Sequence, residues 1–222
     1  MRLSMKTARW SFPQGLKMID RLQVIEFFQA VDREFGQACD RGLDRECDPG
    51  LDRDGRIFLV GDTSQLVEGW QRWNTKIDFF SVVDSLKRES LTSVVASVAC
   101  RMGIQATDEF PGEVVPLPEG YESRSRPLSD SSWSQGLHLK IRHFDPYSVS
   151  YRYIMRGGET DYDLILRFLE HSWITESELD SRLEKLLPEL TFETIQQDPA
   201  ELRRRYSGLK QMWKARQVAK SA

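Results

Sequence analysis

A chain of 222 residues with 40% apolar residues, 29% charged residues and a net charge of −3 has the composition of a soluble globular protein that can bury a core without disulfides or metals. No apolar run approaches the ~20 residues that span a bilayer, and the amino-terminal MRLSMKTARWSF lacks the apolar stretch of a secretory signal. The cysteines, Cys39, Cys47 and Cys100, are odd in number and have no close metal-binding spacing, which predicts a reduced, cytoplasmic protein.

The first predicted elements are a helix, a loop and a strand. Residues 20–35 carry an apolar stripe at three- and four-residue spacing, which predicts an amphipathic helix; the stripe consists of Leu22, Ile25, Phe28, Val31 and Phe35. Cys39 to Arg56 has mixed charge and no apolar period, so we predict a surface loop. Ile57 to Val60 is a short buried strand, and Thr63 to Trp70 suits one or two helical turns.

The next elements are a strand, a helix and another strand. Lys76 to Val83 predicts a strand on which Lys76 and Asp78 share one face. Asp84 can cap a helix that runs to about Met102 and points Leu86, Val94, Val95, Val98 and Met102 inward. After an irregular segment with one edge strand at Glu113 to Leu117, the alternation in Leu137 to Phe144 predicts a strand. Its polar face carries His138, Lys140 and Arg142.

The chain beyond Pro146 has helical periodicity. Asp145 is predicted to cap the first of these helices, Thr175 and Glu178 to form a capping box, and Asp198 to open the last helix. Strands in the front half and helices in the back half predict an α/β or α+β fold. From Glu201 onward, the chain contains seven basic residues and one acidic residue. This composition predicts a solvated helix face or an electrostatic contact with nucleic acid or an acidic partner.

The stretch GDTSQLVEGWQRWNTKIDFF, Gly61 to Phe80, places a glycine turn after a strand, then a short helix, then a strand that carries Asp78. This layout resembles the signature of minimal nucleotidyltransferases of the DNA polymerase β superfamily, in which a Gly-Gly or Gly-Ser turn and a helix precede a strand with Asp-x-Asp. It is similar to an uncharacterised prokaryotic family that is related to the toxin subunits of abortive-infection toxin–antitoxin pairs.

Two later segments carry the same resemblance. LPEGYESR, Leu117 to Arg124, is similar to the LPxGYxxR loop of that family, and His143 to Ile165 is similar to its DPYDLxxxKxxRGxxxD helix pair. The resemblance implies a nucleotidyltransferase-like mixed sheet flanked by helices over residues 1–145, and a helical region over 146–222 that packs on this core and ends in a basic tail. It also implies an NTP as ligand, Mg²⁺ as cofactor, a nucleotide or RNA as substrate, and an antitoxin-like protein or complex subunit as partner.

The resemblance implies a site at the glycine turn and the following strand. Asp78 would be the catalytic and metal-binding carboxylate. Phosphate would contact a wider set of residues: Gly61, Thr63, Ser64, Lys76, Lys140 and Arg142. The chain departs from the family where the first metal aspartate falls on Lys76, and where Asp62 follows the turn glycine. One carboxylate is a poor Mg²⁺ site, because the ion needs several oxygen ligands that neutralise its charge.

Two functions therefore remain open. The first is a degenerate nucleotidyltransferase-like protein that binds nucleotide or nucleic-acid phosphate without catalysis and pairs Lys76 with Asp78. The second is an active, toxin-like enzyme that transfers a nucleoside monophosphate from NTP to RNA, protein or a small acceptor. Trp70 and Trp73 are predicted to pack, and Trp73 also suits base stacking.

Overall fold

The computed structural model describes residues 17–42, 55–113, 115–130, 132–133, 136, 138–190 and 198–221. They form two compact units, one within residues 1–110 and 126–143 and the other within 111–125 and 144–222. The division after His143 lies two residues before the boundary that the sequence predicts, and the segment from Pro111 to Ser125 belongs to the second unit. Most of the predicted loop from Cys39 to Arg56 lies outside the described residues.

The first unit is built on a four-stranded mixed sheet, which confirms the predicted fold class. Its strands are β1 (Gly55–Leu59), β2 (Ile77–Val82), β3 (Ala106–Asp108) and β4 (Leu139–His143). They lie in the order β3-β2-β1-β4; β1 and β2 are antiparallel, and the two outer pairs are parallel. Strand β3 was not predicted, because its three residues are too few to show an alternating pattern.

Three helices accompany this sheet: α1 (Arg21–Gly42), α2 (Asp62–Val67) and α3 (Ser85–Met102). The buried core includes Phe28 and Phe35 of α1, Val98 of α3, and Ile57 and Phe79 of the sheet. Each fully buried aromatic or aliphatic side chain of this kind stabilises the fold by about 1.5–3 kcal/mol relative to an exposed one.

The spacing of apolar residues correctly predicts which face of α1 and α3 is buried along most of each helix, but not in its first turn. Leu86 is 90% exposed and Leu22 is 66% exposed, so the prediction that Leu86 points inward was wrong. The period of 3.6 residues determines which residues share a face of a helix, but not how much of that face another element covers. The predicted cap of α3 is confirmed, since the Asp84 carboxylate accepts a hydrogen bond from Leu86 N at 2.8 Å.

The second unit contains the helices α4 (Pro146–Arg156), α5 (Glu159–Glu170), α6 (Glu176–Leu186) and α7 (Pro199–Ser221). Asp145, Thr175 and Asp198 cap α4, α6 and α7 as predicted. The predicted capping box is wrong, because Thr175 N donates to the Tyr147 hydroxyl and not to the Glu178 carboxylate. The edge strand predicted from Glu113 to Leu117 was wrong for the described residues, which form a 3₁₀ turn at Pro111–Glu113 and irregular structure after it. Pro116 cannot donate a hydrogen bond to a strand ladder. None of the described helices combines the length and apolarity that crossing a bilayer requires.

The start of α4 is fixed by an ion pair whose carboxylate is fully buried. Asp145 is fully buried, and Arg124 holds it with two hydrogen bonds, Nε to Oδ1 at 3.0 Å and Nη2 to Oδ2 at 2.8 Å. The same guanidinium donates to the carbonyl oxygens of Glu119 and Pro118. The Ser148 hydroxyl donates to Asp145 Oδ2 at 2.7 Å. Arg124 therefore joins the loop before it to the first turn of α4.

Candidate functional site

The glycine turn between β1 and α2 is the first part of the candidate site. Gly61 has φ 57° and ψ −122°, a conformation that side chains with a Cβ rarely adopt. Thr63 and Ser64 follow it and are buried. The Thr63 hydroxyl accepts a hydrogen bond from Asp78 N at 2.7 Å, and the Ser64 hydroxyl donates to Leu59 O at 3.0 Å. Both hydroxyls therefore fasten the turn to the sheet.

Replacing Gly61 with valine is expected to lower the free energy of unfolding by about 1–3 kcal/mol, because a β-branched residue is strained at this backbone conformation. Urea denaturation followed by circular dichroism measures the change. Gly208→Val is the control, since Gly208 lies in α7 without a positive φ and its Cβ would meet no atom within 4 Å. An equal loss in both variants would contradict the special role of the Gly61 turn.

Lys76 and Asp78 form an ion pair at the start of β2. Lys76 Nζ lies 2.8 Å from Asp78 Oδ2, with 42% of the lysine side chain and 13% of the aspartate side chain exposed. The lysine ammonium therefore contacts the carboxylate that the sequence resemblance implies as the metal ligand.

Strand register brings further cations to the face of the sheet that carries Asp78. In the paired strands, Arg56 lies opposite Lys140 and Phe58 lies opposite Arg142. Phe58 also lies opposite Phe80, two residues after Asp78. Directly opposed residues share a face of the sheet, and every second residue of a strand lies on that face. The face that carries Asp78 therefore also carries three basic residues: Arg56, Lys140 and Arg142.

His138 does not join this basic face, contrary to the alternation prediction. Strand β4 begins only at Leu139, and the His138 imidazole lies against Gly36 of α1. The Asp32 carboxylate accepts hydrogen bonds from His138 N at 3.0 Å and from Leu139 N at 2.8 Å. These contacts with α1 hold the backbone before β4, so the alternation of the strand does not extend to His138.

The donor set does not fit Mg²⁺. Among the described residues, no three His, Cys, Asp or Glu side chains are grouped so that they could hold a metal ion. Asp78 is bound by Lys76, and Asp145, the first acid after β4 in the chain, caps α4 and is bound by Arg124. Mg²⁺ prefers several oxygen ligands at ~2.0–2.1 Å, and an adjacent ammonium opposes it.

A buried polar network at the carboxyl end of α2 was not predicted from the sequence. His143 is fully buried, and its Nε2 lies 2.8 Å from Glu68 Oε1. Glu68 also accepts hydrogen bonds from the Ser129 backbone N–H at 3.1 Å and from the Ser129 hydroxyl. The available signal was the strand alternation, which puts His143 on the apolar face with Leu139 and Ile141; such a histidine needs a buried partner.

The protonation states in this network follow from burial and hydrogen bonding. Burial alone would raise the pKa of Glu68, but hydrogen bonds from His143 and Ser129 outweigh it and lower the pKa to about 2. Burial lowers the pKa of His143, and the Glu68 hydrogen bond offsets only part of that effect. At neutral pH a carboxylate therefore accepts from a neutral imidazole. Because the Ser129 hydroxyl donates to Glu68 and not to His143, the network does not activate a nucleophile.

The residues that carry the resemblance in the second unit have structural partners. Arg124 binds Asp145, and Arg156 Nη2 lies 2.9 Å from Asp161 Oδ1. Asp161 also accepts a hydrogen bond from Gly158 N at 3.1 Å, where α5 begins. These contacts build the turns before α4 and between α4 and α5.

The basic tail is largely neutralised within the second unit. Lys210 of α7 contacts Asp180 of α6 at 2.9 Å, and Arg216 contacts Asp163 of α5 at 3.1 Å. Further ion pairs join Arg203 to Glu184 and Lys220 to Glu170. These basic residues hold α7 against its neighbouring helices, so much of the tail charge serves packing within the unit.

Comparisons of the chain with models of known families, with curated proteins and with solved structures found no match.

Proposed function

We propose that the face of the first-unit sheet that carries Asp78, Arg56 and Lys140 binds the phosphate groups of a nucleotide or nucleic acid without a divalent metal ion. The Lys76–Asp78 ion pair carries the proposal. Lys76 Nζ, 2.8 Å from Asp78 Oδ2, occupies the space beside this carboxylate that a metal ion would need. The ammonium group supplies a fixed positive charge in place of the ion. On this proposal the chain is a nucleotidyltransferase-like protein with a degenerate active site.

The charge balance of this face supports phosphate as the ligand. Arg56 and Lys140 are exposed, Arg142 is half-buried, and Asp78 is the one acid among the five charged residues assigned to the face. The two exposed cations lie directly opposite each other on neighbouring strands, which concentrates positive potential that attracts anions. Binding of this kind weakens as salt increases, because ions screen exposed charges over ~8–10 Å.

The decisive experiment is isothermal titration of ATP and of a short RNA into the full chain, with Mg²⁺ and with EDTA. We expect the wild-type protein to bind equally well in both and to bind less well in 500 mM salt. In Lys76→Asp, we expect about a tenfold or greater loss of binding in EDTA, because a carboxylate then faces the phosphate. We expect Mg²⁺ to restore part of this binding, since two acids separated by one residue can hold the ion.

Lys185→Asp is the matched control, because it makes the same change of charge at an exposed position of α6. Wild-type binding that requires Mg²⁺ would contradict the proposal and favour the working transferase. So would transfer of labelled nucleotide to RNA or protein that is lost in Asp78→Ala.

A further inference from the structure

The loop between α2 and β2 has two consecutive exposed residues, one cationic and one aromatic. Trp73 is 57% exposed. Arg72 is exposed and forms no ion pair with any described residue. Tryptophan is usually well buried in folded proteins, so the packing role predicted for Trp73 from the sequence does not account for its position.

The exposure of Trp73 is built into a loop that is fastened on both sides. Asn74 exchanges two backbone hydrogen bonds with Ile19, at 2.7 and 2.8 Å. On the other side, Gln71 Nε2 donates to Asp62 O at 2.9 Å, and Trp70 N donates to Gln65 O at 2.9 Å. Because the backbone on both sides of Trp73 is held, a ligand that covers the indole has only its side-chain rotation to restrict, which favours binding.

Arg72 and Trp73 lie next to the phosphate-binding face. Trp73 and Lys76 are three positions apart in the chain, so their Cα atoms are at most about 11 Å apart. On the same face of the sheet, Arg56 lies opposite Val82 on β2 and has Lys140 beside it, and the stacked rings of Phe58 and Phe80 lie between this pair and Lys76. The six residue steps from Lys76 to Val82 span about 20 Å.

We propose that the ligand of this face is a single-stranded nucleic acid, with one of its bases stacked on Trp73 and the neighbouring phosphates on Arg72 and Lys76. The inference rests on the proposed phosphate-binding function and specifies its ligand. Lys76 and the pair Arg56 and Lys140 are about 20 Å apart along β2, which is longer than the triphosphate group of one nucleotide, so a ligand that contacts both must carry phosphates along a longer chain. The strand is unpaired, because an indole can stack only on a base whose face is open. Such stacking tolerates any base.

The test is fluorescence anisotropy in EDTA with a labelled 12-nucleotide oligo(U), competed by unlabelled oligo(U) or by inorganic polyphosphate. Polyphosphate offers the charge of the strand without its bases. We expect Trp73→Ala to weaken oligo(U) binding about 5- to 100-fold, which is the range for the loss of one stacked base. Trp73→Phe should retain part of the affinity, and polyphosphate should bind the wild type and Trp73→Ala alike. Leu86→Ala, at another exposed apolar residue, is the control and should change neither affinity.

The possible failures can be told apart. If oligo(U) and polyphosphate bind and Lys140→Glu weakens both, but Trp73→Ala leaves oligo(U) affinity unchanged, the stacking inference is overturned while the phosphate-binding function stands. Equal losses for oligo(U) and polyphosphate in Trp73→Ala would also overturn stacking. If neither ligand binds the wild type, both proposals fail. A dimer of the wild type that Trp73→Ala dissociates, without oligo(U) binding, would assign the surface to a protein contact instead.

Discussion

Replacing Arg124 with methionine is expected to lower the free energy of unfolding by about 3–5 kcal/mol, the range for removing one partner of a buried ion pair. The Asp145 side chain has no exposed surface, whereas that of Arg124 is 17% exposed. Methionine would leave the carboxylate with the hydrogen bonds of the α4 cap but without its countercharge. Urea denaturation followed by circular dichroism measures the loss, and hydrogen exchange in α4 locates it.

A second substitution tests whether buried charge is the cause. Asp145→Asn keeps an oxygen that can cap α4 but removes the charge, so the double variant Arg124→Met with Asp145→Asn should be more stable than Arg124→Met alone. Arg203→Met is the control, because the Arg203–Glu184 pair is 58% and 67% exposed and such pairs contribute only about 0–1 kcal/mol. A double variant less stable than the single one would contradict the explanation.

Lowering the pH is expected to destabilise the first unit through Glu68 and His143. The pKa of Glu68 is lowered in the folded state to about 2 from an ordinary value of 4.5, so its contribution is complete above pH 4.5 and is lost as the pH falls toward 2. The difference corresponds to about 3 kcal/mol. Only 6% of the Glu68 side chain is exposed, so solvent screening is weak.

His143 acts in the same direction at higher pH. Burial lowers its pKa in the folded state below the ordinary value of 6.5. The unfolded chain therefore takes up a proton below pH 6.5 before the folded chain does, and stability falls as the pH falls through this range. The two residues together predict a loss that begins near pH 6.5 and steepens below pH 4.5.

Hydrogen exchange of the β1 and β4 amides between pH 7 and pH 3 measures this loss in the first unit, after correction for the intrinsic pH dependence of exchange. In Glu68→Gln the dependence below pH 4.5 should flatten, because glutamine does not titrate. Glu89→Gln is the control, since Glu89 is exposed on α3. An unchanged pH dependence in Glu68→Gln would show that the network does not govern acid stability.

The residues on which the sequence resemblance rests have different kinds of partner in the two units. In the second unit, Arg124 binds Asp145 and Arg156 binds Asp161, and these contacts build turns. At the glycine turn of the first unit, Lys76 binds Asp78.

Local features of this protein could be read from its sequence, because they depend on residues a few positions apart. The caps Asp84, Asp145, Thr175 and Asp198 bind backbone groups two or three residues away. The alternation in β2 and β4 follows from the geometry of a single strand, and the order of strands and helices was enough to predict the fold class.

The tertiary structure alone decided which distant residues meet. The sequence contains Glu68, Ser129 and His143, but only the fold brings residues 75 positions apart to within hydrogen-bonding distance. Likewise, the register of β1 with β4 places Arg56 beside Lys140, and the bridge between Ile19 and Asn74 holds the loop that exposes Trp73. The register of the strands, their order and the burial of each residue arise from the packing of the whole core, so no local pattern in the chain specifies them.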